Sequence, residues 1–234
     1  MHLSRLSAAI LTAAAPAALA QNQVAIDLTN LQLRNATNQS RSSSPNTIGP
    51  SYMYHYVIDG MVHGVGGALG LLYPNPTPLA TVMESLAPGS SANLIGDAYN
   101  CSGSLPVVIP PYTTSGSTVV SGITVNYAFT LGMGIDAAGV ASFSITNVTL
   151  SPSLLVGYIQ FNSGSTTLTR VNFCPANCDG STIPPVLNVN DFTCFLNKFA
   201  AGDTMANCDC STTDPVLNVL DFSCFLNKFA TGCS

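Results

Sequence analysis

The sequence predicts a mainly β protein: an antiparallel β-sandwich or jelly-roll-like domain followed by a small α-helical, disulfide-linked repeat pair. Two observations support this class. Residues 21–171 contain many short runs rich in Val, Ile, Thr and aromatic residues, separated by frequent turn residues. Residues 178–202 and 208–232 are two copies of one sequence, offset by 30 residues and identical at 19 of 25 positions. We expect the two copies to pack as one unit, because a single copy cannot bury its own apolar face.

The first 20 residues predict a secretory signal peptide. Arg5 precedes an apolar run that ends in small residues, Ala18-Leu19-Ala20, just before Gln21. No other apolar stretch of the sequence is long enough and free enough of turn-forming residues to span a bilayer. We therefore expect the mature chain to be secreted and extracellular, with no membrane span.

Residues 21–171 predict the β-domain, with strands that are separated by turns and one short helix. The expected strands are 24–33, 51–59, 118–134, 140–150, 154–161 and 166–173, and the expected helix is 79–87. Residues 35–46 predict an exposed loop, residues 61–72 a Gly-rich connection, and residues 136–139 and 162–164 two hairpin turns. Neighbouring strands are therefore expected to pair antiparallel.

Charged residues are scarce, with six Lys and Arg against eleven Asp and Glu and a net charge of -5. This composition excludes a basic surface for nucleic acid. The sequence has no Trp, and a glycosidase needs two facing carboxylates, which spacing alone does not reveal. A non-catalytic β-domain is therefore favoured over an enzyme. The carboxylates that an enzyme would have to use are Asp27, Asp59, Glu84, Asp97 and Asp136.

The eight cysteines of an exported chain predict disulfides. Equivalent positions in the two copies suggest one pair within each copy, Cys178 with Cys194 and Cys208 with Cys224. Cys174 and Cys233 would then close the two ends of the repeat unit. Cys101 and Cys210 are left over, so a link between the two domains follows only by elimination. A structural zinc site is disfavoured because the CxxxC and CxC spacings of the repeat region are poor for zinc.

Each repeat reads as a polar loop with an acid at both ends, followed by an amphipathic helix. Calcium takes six to eight oxygen ligands, and such a loop supplies oxygens from carboxylate, hydroxyl and amide groups. One or two calcium ions are therefore expected, with tighter binding in copy two because Asp214 adds a carboxylate. The candidate ligands are Asp179, Ser181, Asn188 and Asp191 in copy one, and Asp209, Ser211, Asp214, Asn218 and Asp221 in copy two.

The helix of each copy is predicted from apolar residues at i, i+3, i+4 and i+7. These stripes are Phe192, Phe195, Leu196 and Phe199 in copy one, and Phe222, Phe225, Leu226 and Phe229 in copy two. Gly202 and Gly232 stand where a helix end needs a residue with positive φ. Lys198 and Lys228 fall in the last turn, where a cation suits the helix dipole.

Residues 174–234, with the pattern LNVxDFxCFLNKFAxG and flanking cysteines, resemble a dockerin of the GC type. The β-domain would thus precede a dockerin-like domain of two repeats at residues 172–234. The resemblance implies attachment of an exported protein to a cell-surface partner, such as a cohesin-like module. The residues expected to bind that partner are Val189, Asn190 and Lys198 in copy one, and Val219, Leu220 and Lys228 in copy two.

Two functions follow from these expectations. The first is a secreted non-catalytic β-domain that is attached to a cell-surface or extracellular partner through its C-terminal repeats. The alternative is a polysaccharide-active enzyme or a carbohydrate-binding component of an extracellular complex, attached in the same way. Carbohydrate is the candidate ligand of that alternative.

Overall fold

The computed structural model describes residues 21–232. The predicted signal peptide, residues 1–20, and the predicted disulfide cysteine Cys233 lie outside the described residues. The strands are β1 Gln23–Asp27, β2 Gln32–Leu33, β3 Gln39–Ser42, β4 Met53–Val65, β5 Thr77–Pro78, β6 Ile95–Tyr99, β7 Val107–Val120, β8 Ile123–Ile135, β9 Ala141–Ser151 and β10 Tyr158–Arg170. The α-helices are α1 Gly67–Leu72, α2 Leu79–Leu86, α3 Ser153–Val156, α4 Val189–Ala200 and α5 Val219–Thr231.

Two antiparallel sheets form a sandwich, which confirms the predicted mainly β class. One sheet has the order β1-β10-β4-β5, with β2 also beside β10 and β6 also beside β4. The other has the order β3-β9-β8-β7. The inner faces of both sheets share one hydrophobic core, whose largest fully buried side chains include Tyr54, Phe143, Phe161 and Ile145. Within the described range, no helix is long and apolar enough to cross a membrane.

Strand β4 shows how the sequence sets the two faces of the first sheet. Successive side chains of a strand point to opposite faces. Tyr54, Ile58 and Val62 are accordingly buried in the core. His55 and Asp59 lie at the intervening positions on the outer face. The predicted period-two strand is thus correct, and its residues 51–59 cover only the first half of the element.

Residues 61–65, predicted as part of a Gly-rich connection, continue strand β4 instead. Two glycines within the strand are required by close backbone contacts rather than by a turn. A Cβ atom on Gly60 would lie 2.6 Å from the carbonyl oxygen of Ser163. A Cβ atom on Gly64 would lie 1.9 Å from the carbonyl oxygen of Leu69, at the packing of α1 on the strand. Glycine in a strand often marks such a close approach of two backbones.

Several other boundaries differ from the prediction. Residues 162–164 lie inside the continuous strand β10, with a β-bulge at Asn162, and do not form a hairpin turn. Ser121 and Gly122, at φ of 50° and 79°, form the hairpin turn between β7 and β8 near the start of the predicted strand 118–134. Helix α3 occupies the start of the predicted strand 154–161, and β3 lies in the predicted loop 35–46. The turn at 136–139 joins β8 to β9 as predicted.

The C-terminal repeats, residues 174–232, form a second unit, the tail. Helices α4 and α5 begin and end close to the expected positions, and Gly202 and Gly232 have the expected positive φ of 72° and 82°. The tail has its own hydrophobic cluster, separate from the sandwich core. Its fully buried members are Phe195, Ala206, Cys208 and Phe225.

Candidate docking module

Disulfides hold each repeat closed. Cys178 pairs with Cys194 and Cys208 pairs with Cys224, as the equivalent positions in the two copies predict. In each copy the bond joins the start of the loop to the middle of the following helix. Cys174 is also disulfide-bonded, while its predicted partner lies outside the described residues. The remaining predicted link, the one between the two domains, joins Cys101 to Cys210.

Phenylalanine rings hold the two copies together. Phe195 and Phe225 occupy the same position in their copies and stack on each other, with ring centroids 4.3 Å apart and planes 13° apart. Phe192 and Phe222, also equivalent, meet edge to face at 5.4 Å. When residues of two copies meet their own equivalents, the copies are related by an approximate two-fold axis. Helices α4 and α5 therefore present equivalent faces to solvent.

The acid at the end of each loop is buried and hydrogen-bonded to the backbone. In copy one, Asp191 Oδ1 accepts from the N–H of Asp179 at 3.2 Å, and Asp191 Oδ2 accepts from the N–H of Asn188 at 2.8 Å. Asn188 in turn caps α4, since its Oδ1 accepts from the N–H of Asn190 at 2.8 Å. This reciprocal arrangement is a capping box. It satisfies backbone groups that a helix start leaves unpaired.

Copy two repeats this geometry at the same distances. Asp221 accepts from the N–H groups of Asp209 and Asn218, and Asn218 caps α5 through the N–H of Leu220. Both Asp191 and Asp221 have no solvent-exposed area. Each therefore pins the start of its loop to the start of its helix. These hydrogen bonds are all formed between groups of the protein.

The last acid of each loop, one of the predicted calcium ligands, is engaged by the protein itself. Calcium takes six to eight oxygens. Asp191 and Asp221 are buried, and both oxygens of each carboxylate accept from backbone N–H groups. Asp214, the extra acid of copy two, is exposed. The described residues contain no group of three or more His, Cys, Asp or Glu side chains placed to hold a metal ion. Calcium binding stays a prediction from the sequence.

Both helices of the tail expose an uncharged surface, called the outward face here. Its apolar members are prominent: Val189 is 74% exposed, Val219 71% and Leu220 59%. Leu196 and Leu226, predicted on the buried stripe, are also exposed, because each lies about 100° around the helix from the buried Phe before it. The outward face comprises Val189, Asn190, Thr193, Leu196, Asn197 and Ala200 of α4, and Val219, Leu220, Ser223, Leu226, Asn227 and Ala230 of α5.

The two lysines expected to bind a partner lie away from the outward face. Lys198 is half-buried, with its Nζ 3.1 Å from Met205 Sδ. Lys228 lies over the ring of Tyr52 in the sandwich, with its Nζ 4.9 Å from the ring centroid. The other four residues expected to bind a partner are all exposed on their helices: Val189, Asn190, Val219 and Leu220. The structure places the lysines on the inner side of the tail.

The tail is joined covalently to the sandwich at the loop that follows β6. Cys101 of this loop forms the disulfide with Cys210. Asn100 fixes the loop, because its Nδ2 donates to the carbonyl oxygens of Ser51 and Ser104 at 2.8 Å each. Gly103, at φ 63°, packs on the ring of Tyr52, where a Cβ atom would lie 2.7 Å from ring carbons. The attachment point is thus a rigid part of the sandwich.

Two carboxylates of the sandwich have pKa values that suit a solvated, ionised acid. Hydrogen bonds from the side chain and backbone of Thr29 lower the pKa of Asp27. Hydrogen bonds from the Gly89 N–H and the Ser91 hydroxyl lower the pKa of Glu84. A catalytic general acid needs the opposite shift. Neither group is therefore adapted to donate a proton.

The exposed His55 pairs with Asp97 on the outer face of the first sheet. His55 Nδ1 lies 2.9 Å from Asp97 Oδ1, and the two residues face each other across β4 and β6. Asp27 on β1 and Asp59 on β4 are both exposed, and both pair in register with Ser165 of β10, which lies between them. Asp59 accepts from the N–H of Gly60 and Asp136 from two N–H groups of its own turn. These contacts explain the acids as parts of local structure.

Comparison of the chain with protein families, with curated proteins and with solved structures finds no match. The assignment of the tail as a docking module therefore depends on its geometry and its repeat pattern.

Sequence reasoning missed two features of the module. The first is the burial of Asp191 and Asp221 in capping boxes. It was not predicted because an acid at the end of a loop is equally compatible with a calcium ligand and with a capping box. The signal was available, since Asn188 stands three residues before Asp191 at a helix start. The contact of Lys228 with Tyr52 joins positions 176 residues apart, and no local pattern encodes it.

We expect Asp221→Asn to destabilise the tail by about 1–3 kcal/mol. The amide keeps the size of the side chain but accepts with one oxygen only, so one of the two N–H groups loses its partner. Amide hydrogen exchange at the start of α5 should become faster, and urea unfolding should shift to lower denaturant. Asp214→Asn is the matched control, since this exposed acid should change stability by less than about 0.5 kcal/mol. Equal stability of the Asp221→Asn variant and the native protein would refute the capping role.

Proposed function

We propose that this protein is a secreted, non-catalytic β-sandwich that attaches to an extracellular partner through the outward face of its tail. The observation that carries the proposal is the exposure of apolar side chains at equivalent positions of two helices. Val189 and Val219 start α4 and α5, and Leu220 follows in α5. Exposed apolar patches are typical of surfaces that bind another protein.

The chemistry of the outward face supports a protein partner. The centre of a protein interface is depleted in charged residues, and the outward face has none. Its polar members are Thr, Ser and Asn, which pair with a partner without the cost of burying a charge. The expected partner is therefore an uncharged, partly apolar protein surface, as a cohesin-like module would supply.

The disulfides support export. Disulfides persist in oxidising compartments and are rare where thiols are kept reduced. The tail contains two within-repeat bonds and shares a third with the sandwich. Together with the predicted signal peptide, this content favours an extracellular, cell-surface-associated location.

The alternative function, a polysaccharide-active enzyme or a carbohydrate-binding component, is less well supported. The lowered pKa values of Asp27 and Glu84 leave both acids ionised at neutral pH. A glycosidase needs one carboxylic acid that stays protonated beside a second carboxylate. A substrate panel on which Asp97→Asn abolishes activity would favour the enzyme over the proposal.

Replacement of both Val189 and Val219 by Asp should weaken binding of the full chain to intact cells of its native host at least about tenfold. A carboxylate forced into an apolar contact costs more than the ~1.4 kcal/mol that corresponds to this factor. Asp suits the first turn of a helix, so both helices should remain folded. The measurement is the fraction of labelled protein that remains cell-bound across a concentration series.

Val108→Asp is the control for this experiment, since Val108 is an equally exposed valine on the sandwich. It should bind as the native chain does. If the Val189→Asp/Val219→Asp protein binds as tightly as the native chain, or if Val108→Asp binds as weakly as the double variant, attachment through the outward face is wrong.

The tail should keep its fold without calcium. Its helices are held by the Phe195–Phe225 stack, by the within-repeat disulfides and by the buried acids Asp191 and Asp221. A chelator should therefore shift the thermal midpoint by less than about 4 °C, which corresponds to roughly 1 kcal/mol for a small domain. Unfolding of the tail in chelator would contradict this and make calcium a structural ion. Calorimetric titration before and after Asp214→Asn tests the calcium prediction for copy two.

A further inference from the structure

Two adjoining cavities lie beside residues 171–173, the segment that connects the sandwich to the tail. The first, of about 440 Å³, includes Arg170 at the end of β10. The second, of about 290 Å³, includes Lys228 of α5. Tyr52, Asn172 and Phe173 line both, so the two cavities form one cleft. A combined cleft of this size falls within the range of small-molecule sites.

The cleft collects cations that have no carboxylate partner. The residues that line it include neither Asp nor Glu. Arg170 Nη1 reaches only Asn22 Oδ1, at 3.4 Å, and Arg170 Nε is buried without a hydrogen-bond partner. Among the residues that the structure covers, the one salt bridge is that of His55 with Asp97, so neither Arg170 nor Lys228 takes part in one. Partly buried cations without a counter-charge are costly, and an anion would relieve that cost.

Lys228 is placed for this role by packing rather than by pairing. Its ammonium lies over the ring of Tyr52, and burial lowers its pKa. The repeat-equivalent Lys198 contacts Met205 and lies outside the cleft lining. The two lysines therefore have the same position in the repeat and different surroundings. Of the two lysines, Lys228 lines the cleft to which Arg170 also contributes.

Charge, rather than ring stacking, is the recognition that the cleft offers. One face of the Tyr52 ring is covered by Gly103 and the ring also carries the Lys228 ammonium. The ring of Phe173 packs edge to face on Tyr99, with centroids 5.8 Å apart. Guanidinium groups bind carboxylates through paired N–H donors. The amides of Asn22 and Asn172 add partners for hydroxyl groups.

We propose that this cleft binds a small carboxylate ligand, held jointly by Arg170 and Lys228. Arg170 and Lys228 each carry one positive charge, so together they match a ligand with one or two carboxylate groups. The site takes one cation from each part of the molecule, so it exists only while the tail is seated on the sandwich. Such a carboxylate comes either from a sugar acid or from a simple aliphatic acid. This proposal is independent of docking through the outward face, which lies on the other side of the tail helices.

Calorimetric titration of the full chain with glucuronate, succinate and glucose tests the proposal. If the Asn22 and Asn172 amides bind hydroxyl groups of the ligand, glucuronate should bind. If charge alone determines recognition, succinate should bind as well. Glucose, which lacks the carboxylate, should not bind. Arg170→Gln and Lys228→Gln should each weaken the carboxylate at least about tenfold, the loss expected for a hydrogen bond to a charged group.

Lys198→Gln is the matched control and should bind as the native protein does. Lys228→Arg, which keeps the charge, should retain most of the affinity and so separates loss of the cation from loss of packing. A thermal unfolding curve of each variant confirms that the tail is folded. The proposal is overturned if neither carboxylate binds, if glucose binds as tightly as glucuronate, or if Lys198→Gln weakens binding as much as Lys228→Gln.

Discussion

The stack of Phe195 on Phe225 is the interaction on which the tail depends. It joins equivalent residues of two copies, and it belongs to a cluster that has four buried members among the described residues. A core this small cannot offset the conformational entropy of its chain. The two within-repeat disulfides compensate, since each closes a loop of 16 residues and contributes about 3 kcal/mol by limiting the unfolded chain. The shape of the outward face follows from these few contacts.

One substitution between the copies changes the tail from a symmetric pair into an attached module. Gly180 of copy one has a φ of 70°, and Cys210, its equivalent, keeps nearly the same backbone conformation at 63°. A side chain at such an angle costs roughly 1–2 kcal/mol. The disulfide to Cys101 spans 109 residues of chain and contributes about 4.7 kcal/mol in the loop-entropy account, so the exchange favours attachment. The loop that carries Cys101 also carries Gly103, which packs on the Tyr52 ring that Lys228 contacts.

Local patterns predicted what depends on local physics. The alternation along β4, the turn at 136–139 and the Phe stripes of α4 and α5 each follow from residue spacing. Features that depend on distant contacts could not be read this way. Glycine is common in turns, so Gly60 and Gly64 suggest a turn when only the sequence is known. They lie in a strand, where neighbouring backbone atoms come so close that a Cβ atom would clash with them. The exposure of Leu196 was not predicted, because the i, i+3, i+4, i+7 pattern of apolar residues does not show where the buried face of the helix ends.

Disulfide mapping of the protein, by peptide analysis without reduction, tests the central claim that the tail is linked to the sandwich while each copy is closed by its own disulfide. The account predicts linked peptides that join Cys178 to Cys194, Cys208 to Cys224, and Cys101 to Cys210. A free thiol at Cys101, or a bond from Cys210 to a cysteine of the tail, would contradict it.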